Sequence, residues 1–589
     1  MSRFATLLLV LLLYPMGAGA LPTPGESVAG PAAPGDATAI TPPDAAVIDV
    51  PEPAVTGAPD MAMDTAIARR MIDESRFVAG RPVDLPGLRR FYARRGFAPL
   101  WLDAAGVPMT AAAGVLDAIR AADAEGLASA DYHADTIAAR LTDPERASRV
   151  ELDLLLTDAV MRYGAHLRSG RVLPKTVASD IAVTPLTVDP AAVAEETAAS
   201  ADPRAHLAAL APARPDYALL KDALRRYRAL EAKGGWPIVP SPRVTKLEPG
   251  MRDPAVKALR RRLAVTGEYT DPGRDKTAER SDLYDAPLKK AVERFQARHG
   301  LTVDGVIGPA TLTALNVPAA DRVGQILANL ERMRWLPDGY GARHVAVNVP
   351  DYSLTAVDDG RTVLSMRVIV GTPARRTPIL SSTITSVVFN PAWTVPVRLA
   401  REDYLPKLLK DPGYLAKNGF TLFSSWSADA RPLDARRIDW KSVGRGIGAM
   451  RLRQDPGPNN ALGQVKFNIP NAFDVYLHDT PGREKFDRSV RTFSSGCVRV
   501  GDPMALADFV MTGMTDWPAD RRRQVLDKGE TRTVALKPSV AVHLLYHTAW
   551  ADADGTVQFR EDIYGRDTDL LSAIARKAPP ASQRVALGG

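Results

Sequence analysis

Cysteine is almost absent: Cys497 is the only one in 589 residues. That excludes an intramolecular disulfide framework. After the first twenty residues there is no apolar run long enough to cross a bilayer, which needs about 20 residues. No long Lys/Arg run marks a nucleic-acid-binding segment either. Charges of both signs are interspersed, and the net charge of +7 with pI near 9.3 is mild for this length. Such basicity suits anionic envelope polymers without selecting a partner. His543 and His547 stand four apart, yet Val-Ala-Val-His-Leu-Leu-Tyr-His reads as strand. Neither the glutamate of an H-E-x-x-H motif nor a third ligand accompanies them, so no metal and no cofactor is expected.

What is present begins with Arg3, the apolar run Phe4 to Tyr14 and the small-residue site Ala18-Gly19-Ala20. This is the order of a secretory signal peptide, residues 1–20, and implies export to the periplasm. No cysteine follows the cleavage site, so lipid attachment there is excluded. Residues 21–68 are rich in Pro, Ala and Gly and read as a disordered linker. Residues 69–246 read as a helical scaffold domain: Leu116, Ile119 and Ala122 space like one helix face, Leu152, Leu155, Leu156, Ala159 and Tyr163 like another. Phe91, Tyr92, Trp101 and Tyr132 serve packing between its helices. Residues 247–318 form a compact helical unit, with Val256, Leu259 and Leu263 on one helix and Leu288, Val292 and Phe295 on the next. Asp304-Gly305 and Gly308-Pro309 are turn signals, and Thr311 starts the last helix.

A connecting helix over 319–342 leads to strands in 343–510. Val345, Val347 and Val349 alternate, as do Leu364, Met366 and Val368, and Ile384 to Phe389 continues the pattern. An inserted helical flap spans 399–440, where Leu405, Leu408 and Leu409 take helical spacing. Residues 511–589 return to pack on the body. The fold class is therefore multidomain α+β, with a mainly β domain preceded by two helical ones.

The chemistry concentrates near the single thiol. Cys497 lies in Ser494-Ser495-Gly496-Cys497-Val498-Arg499, and His478 lies nineteen positions upstream in Tyr476-Leu477-His478-Asp479-Thr480. A histidine within reach of a thiol can take its proton and supply the nucleophilic thiolate. A free cysteine is often a buried structural residue, but Ser-Ser-Gly favours an exposed turn here. Papain-like peptidases place Cys before His, the reverse of this order.

From Gly371 to Arg499 the chain resembles the L,D-transpeptidase catalytic domain. The resemblance rests on Gly371 with Thr377-Pro378, Asn390-Pro391-Ala392-Trp393-Thr394-Val395-Pro396, Pro456 to Gly463, Leu477-His478-Asp479-Thr480, and Ser495-Gly496-Cys497-Val498-Arg499. Residues 247–318 likewise resemble the peptidoglycan-binding domain. Many smaller members carry His-Gly and Ser/Thr-His-Gly-Cys, whereas here Asp479 follows His478 and Ser495 precedes Gly496. The resemblance implies a Cys497 thioester formed on a tetrapeptide stem, loss of the terminal D-alanine, and a 3→3 cross-link. Water as acceptor gives an L,D-carboxypeptidase instead, and a wall-binding scaffold without activity is the remaining alternative. His478 is the implied base, oriented by the Asp479 carbonyl. Gly496 and Cys497 N–H groups, with Ser495, are candidates for the oxyanion site. Arg499 is a partner for a substrate carboxylate or an anchor under the loop, and Tyr476 and Trp393 are pocket candidates. The implied partners are peptidoglycan stem peptides and glycan, with no nucleic acid and no membrane span after signal cleavage. Acylation of Cys497 by carbapenems is implied as well.

Overall fold

The computed structural model describes residues 62–270 and 281–576. The expected signal peptide and most of the expected linker lie outside them. The linker's last residues are helical: Met63–Ile72 buries Ile67 and Met71 in the scaffold core, so order begins before residue 69. Two apolar positions one turn apart outweighed the local Pro/Ala bias.

The scaffold is built round Arg146–Ser169, a 24-residue helix buried on almost every face and stopped at Gly170. Asp153, fully buried within it, accepts the Leu100 and Trp101 backbone N–H groups and the Tyr92 hydroxyl, so its carboxylate is paid for by three donors. The compact unit that follows has helices Ala255–Val265, Ala286–Arg298 and Pro309–Leu315. Its core holds Val256, Leu259, Leu263, Leu288, Val292 and Phe295. The third helix starts at Pro309, two residues before the expected Thr311, because Gly308-Pro309 supplies the N-cap and N1 positions. Helix Ala319–Arg334 then crosses to the β-rich part.

Eight strands close a barrel: β1 Arg343–Asn348, β2 Ser353–Asp358, β3 Arg361–Gly371, β4 Ile379–Phe389, β5 Val465–Asn468, β6 Leu477–His478, β7 Val498–Val500 and β8 Arg532–Leu545. The order round it is β5-β6-β7-β3-β2-β1-β8-β4, with β4 pairing back to β5. Closure removes the open edges that a sheet of this size would otherwise present. Val345, Val347, Leu354, Val368, Val465, Phe467, Leu477, Val498 and Val542 point into its core.

Strand β8 corrects the expected end of the β domain at residue 510, because it pairs with both β1 and β4. Helices Pro503–Val510 and Ala519–Lys528 separate it in sequence from the other strands. The insertion between β4 and β5 also differs from expectation. Helices Leu405–Lys410 and Tyr414–Lys417 occupy its first half, but Phe420–Phe423, Pro432–Leu433 and Arg451–Gln454 form a sheet with Trp393–Thr394. It runs past residue 440 and has a core of its own around Leu408, Phe420, Leu422, Trp440 and Leu452.

Candidate active site

Register on the barrel brings the site together. Parallel pairing of β6 with β7 sets Leu477 against Val498 and His478 against Arg499. Antiparallel pairing of β5 with β6 sets Lys466 against His478. Paired residues face the same side of a sheet and residues two apart share a face. Since Leu477 and Val498 point inward, Lys466, His478 and Arg499 form a row on the outer face. Tyr476 and Cys497 continue that row by one pair. Cys497, His478, Tyr476, Arg499, Trp393 and Ser495 all line one cavity of about 930 Å³ roofed by the insertion.

The nucleophile turn is held from below. The Gly496 N–H donates to Ser494 Oγ at 3.1 Å, and that hydroxyl donates to the Cys497 carbonyl at 2.5 Å. The fully buried Thr377 Oγ1 accepts from the Gly371 N–H at 2.9 Å and donates to the Gly496 carbonyl at 2.8 Å. Tyr564, from the C-terminal segment, donates its hydroxyl to the Gly371 carbonyl at 2.7 Å. Gly496 has φ of +119°, a conformation that side-chain-bearing residues rarely adopt.

These bonds alter the expected oxyanion donors. The Gly496 N–H is already used by Ser494. The Cys497 N–H has no acceptor in the backbone bonding of the described residues and remains available. Ser495 is exposed, and its Oγ accepts from Arg375 at 2.9 Å.

His478 is buried, with Nδ1 2.5 Å from the Asp479 carbonyl oxygen. A carbonyl only accepts, so Nδ1 carries the proton and Nε2 keeps its lone pair. Burial pushes the imidazole pKa down to about 3, helped by Arg499 and Lys466 and opposed by the Asp479 carbonyl. The Asp479 carboxylate faces elsewhere, accepting the Gln464 N–H at 2.9 Å and Arg483 at 3.0 Å. Burial raises the Cys497 pKa, against the backbone N–H of Tyr476, the Lys466 cation, the Tyr476 hydroxyl and Arg499. The thiol sulfur lies 3.9 Å from the Asp474 carbonyl oxygen. The resting pair is therefore neutral thiol and neutral imidazole, with proton transfer coupled to attack.

The Arg499 side chain makes no hydrogen bond or ion pair among the described residues, and its Nε is buried without a partner. An anchor under the loop would show such bonds; a guanidinium awaiting an anion would not. Trp393 packs edge-on to Tyr404 at 6.1 Å within the insertion. Tyr476 stands at 5.6 Å from the His478 ring, and Lys466 Nζ lies 4.2 Å above the Tyr476 ring. Lys466 and Arg375 are the site residues that sequence reasoning missed. Val465-Lys466-Phe467 shows the alternation of a half-buried strand, which marks Lys466 as outward-facing but not as the neighbour of His478 and Cys497.

Residues 342–525 match the model described as L,D-transpeptidase catalytic domain. The chain carries an L,D-transpeptidase catalytic domain. Residues 86–224 match the model described as Scaffold domain, and 252–315 the one described as "Putative peptidoglycan binding domain". A Haemophilus influenzae protein named "Putative L,D-transpeptidase" is 37% identical over 246 residues, 42% of this chain and 48% of that protein. The chain thus spans about half the length of that relative. The N-acetylmuramoyl-L-alanine amidase CwlM of Mycobacterium tuberculosis is 39% identical over 92 residues, 15% of this chain and 22% of that one. Among solved structures, an L,D-transpeptidase from Mycobacterium smegmatis is 12% identical with a TM-score of 0.17, covering 35% of this chain and 58% of that one. One from Stackebrandtia nassauensis is 13% identical with a TM-score of 0.20, covering 52% and 97%. At such scores the superpositions add nothing to the L,D-transpeptidase match.

Proposed function

We propose that the protein is a peptidoglycan L,D-transpeptidase of the cell envelope that forms 3→3 cross-links. The observation that carries this reading is the convergence of Cys497 and His478 on one roofed cavity beside an unpaired guanidinium, Arg499. The donor is a tetrapeptide stem. Its third-residue carbonyl carbon forms a bond to the Cys497 sulfur while the thiol proton passes to His478 Nε2. The Cys497 N–H stabilises the developing oxyanion, and Arg499 pairs with a stem carboxylate. The C–N bond to the terminal D-alanine then breaks, and His478 returns the proton to the departing amine. A side-chain amine on a second stem attacks the thioester, gives its proton to His478 and releases the thiolate, which recovers that proton. The roof over the cavity limits access of water to the thioester.

Incubating the purified chain with tetrapeptide muropeptides and identifying products by mass spectrometry tests this directly. Cross-linked dimers with released D-alanine are expected, and none from a folded Cys497→Ala variant. Tripeptide products alone would identify the protein as an L,D-carboxypeptidase. Equal turnover by the folded variant would remove Cys497 from the mechanism.

A further inference from the structure

Arg375 lies in the loop 372–378 between β3 and β4, and its guanidinium joins the roof to the nucleophile turn by charge-assisted hydrogen bonds. Nη1 donates to Asp403 Oδ2 at 2.6 Å and to Ser495 Oγ at 2.9 Å. Nη2 donates to Asp403 Oδ1 at 2.6 Å and to Glu402 Oε2 at 2.8 Å. Asp403 therefore takes the guanidinium in the two-pronged way a free carboxylate would. Glu402 and Asp403 belong to Ala400–Tyr404, a π-helical turn at the start of the insertion. Ser495 stands two residues before Cys497.

Position and exchangeability distinguish this contact from a plain staple. Arg375 and Ser495 line both the cavity holding Cys497 and a second cavity of about 640 Å³ that Gly496 and Asp180 also line. Arg398, Phe473 and Val475 line both cavities as well. Its acidic partners are open to solvent, with 45% and 34% of the Glu402 and Asp403 side chains exposed, whereas Arg375 itself is 19% exposed. Glu402 also bonds Arg398 Nε at 3.0 Å, so it keeps a cation if it leaves Arg375. The cluster of Arg375, Arg398, Glu402 and Asp403 is neutral as a whole, so a third carboxylate on Arg375 leaves Glu402 on Arg398 and returns the solvent-exposed Asp403 to water.

We propose that Arg375 is a carboxylate-recognition residue, occupied in the free protein by Glu402 and Asp403, which a carboxylate of an incoming stem peptide displaces. Recognition and release of the roof are then one event: the arriving anion takes the guanidinium beside Ser495 and frees the turn Ala400–Tyr404. The proposal rests on the L,D-transpeptidase reading for the identity of the stem, but its binding step does not need turnover.

The experiment uses the full chain and two synthetic tetrapeptide stems, one with free carboxylates and one with every carboxyl amidated, each supplied as donor and, separately, as acceptor. Binding is measured on Cys497→Ala, and kcat and KM on active chains. The parent protein should prefer the free acid. Arg375→Met should lose about 10-fold or more of that preference, with Arg375→Lys keeping part of it. Glu402→Gln/Asp403→Asn should bind the free acid several-fold tighter and the amide unchanged. Loss of preference in the donor arm or in the acceptor arm states which stem carries the carboxylate. An unchanged acid-to-amide ratio in folded Arg375→Met would overturn the proposal, as would equal weakening of both peptides in the double variant. If Arg375→Met does not fold, the double variant decides alone. Absence of turnover with the binding preference intact would count against the transpeptidase reading and leave the Arg375 assignment standing.

Discussion

Lys466 and Arg499 flank the Cys497–His478 pair, and neither forms an ion pair among the described residues. Two cations beside a thiol and an imidazole act in opposite senses on them. They favour the thiolate and disfavour the imidazolium, so the base stays neutral and ready while the nucleophile is helped to ionise. Because the His478 pKa is depressed to about 3, its lone pair is retained from neutral pH down to that region. No acid limb near the ordinary histidine pKa should appear in kcat/KM. Lys466 gives the cleaner test, since its ammonium makes no side-chain hydrogen bond among the described residues and lies 4.2 Å over the Tyr476 ring. Lys466→Met should shift the midpoint for alkylation of Cys497 by iodoacetamide upward by about one pH unit, with correspondingly slower labelling near neutrality. The check is a series of labelling rates from about pH 6 to about pH 10. An unmoved midpoint in a folded variant would show that the lysine only packs on Tyr476.

Between β3 and β4 the loop 372–378 does the mechanical work of the site, and Thr377 is its pivot. Replacing Thr377 by Val keeps the volume but leaves the Gly371 N–H and the Gly496 carbonyl without their partner. The expected cost is about 1–3 kcal/mol of stability and a fall in kcat larger than any change in KM, because the turn that aims Cys497 loosens. Urea midpoints and steady-state kinetics read the two effects, and intact kcat would mean that Ser494 suffices to hold the turn. Thr377-Pro378 was legible in the sequence as part of a motif, but its role was not, since both partners arrive from distant segments. The same division runs through the elements. Val345, Val347 and Val349 betray β1 because alternation is local, and His478 and Cys497 stand out because their chemistry is rare. Strand β8 was read as part of a returning tail, since its burial depends on β1, 197 residues earlier, and on β4, 143 to 164 residues earlier. Trp393 was legible as a pocket candidate, but not as part of the edge strand of the insertion's own sheet, a pairing that Arg453–Gln454 supplies. Local periodicity reports local structure; closure of a barrel and pairing within an insertion are long-range events.

In the molecule as a whole, the small helical module is built into the body by polar and aromatic contacts. Arg262 lies 4.0 Å over the Trp236 ring, Asn316 exchanges two hydrogen bonds with the Val239 backbone, and Arg298 reaches the Tyr227 hydroxyl and the Val557 carbonyl at 3.3 Å. His299 sits at the centre of this junction, stacked at 3.8 Å on Phe295 of its own helix and at 5.7 Å on Phe559 of the C-terminal hairpin Ala549–Ala551/Val557–Phe559. Burial holds its pKa well below the ordinary value, and Arg298, Arg322 and Arg262 push it the same way. The sign of the consequence follows from linkage. Below about pH 6.5 the unfolded chain binds a proton at this histidine and the folded chain does not, so stability present above that pH is lost as the pH falls. One such histidine contributes about 1.4 kcal/mol per pH unit over this window. His478 and His543, whose pKa values are lowered to about 3 and about 4, add to the same trend. His299→Phe keeps an aromatic ring between Phe295 and Phe559 but cannot take a proton. It gives up the bond from Nδ1 to the Phe295 carbonyl at 2.8 Å, a loss of about 1 kcal/mol at neutral pH. Urea midpoints at about pH 7.5 and about pH 5 should therefore converge between the two proteins or cross as the pH falls, with the variant the less acid-sensitive. Parallel lines would place the acid sensitivity elsewhere and leave His299 as a packing residue only.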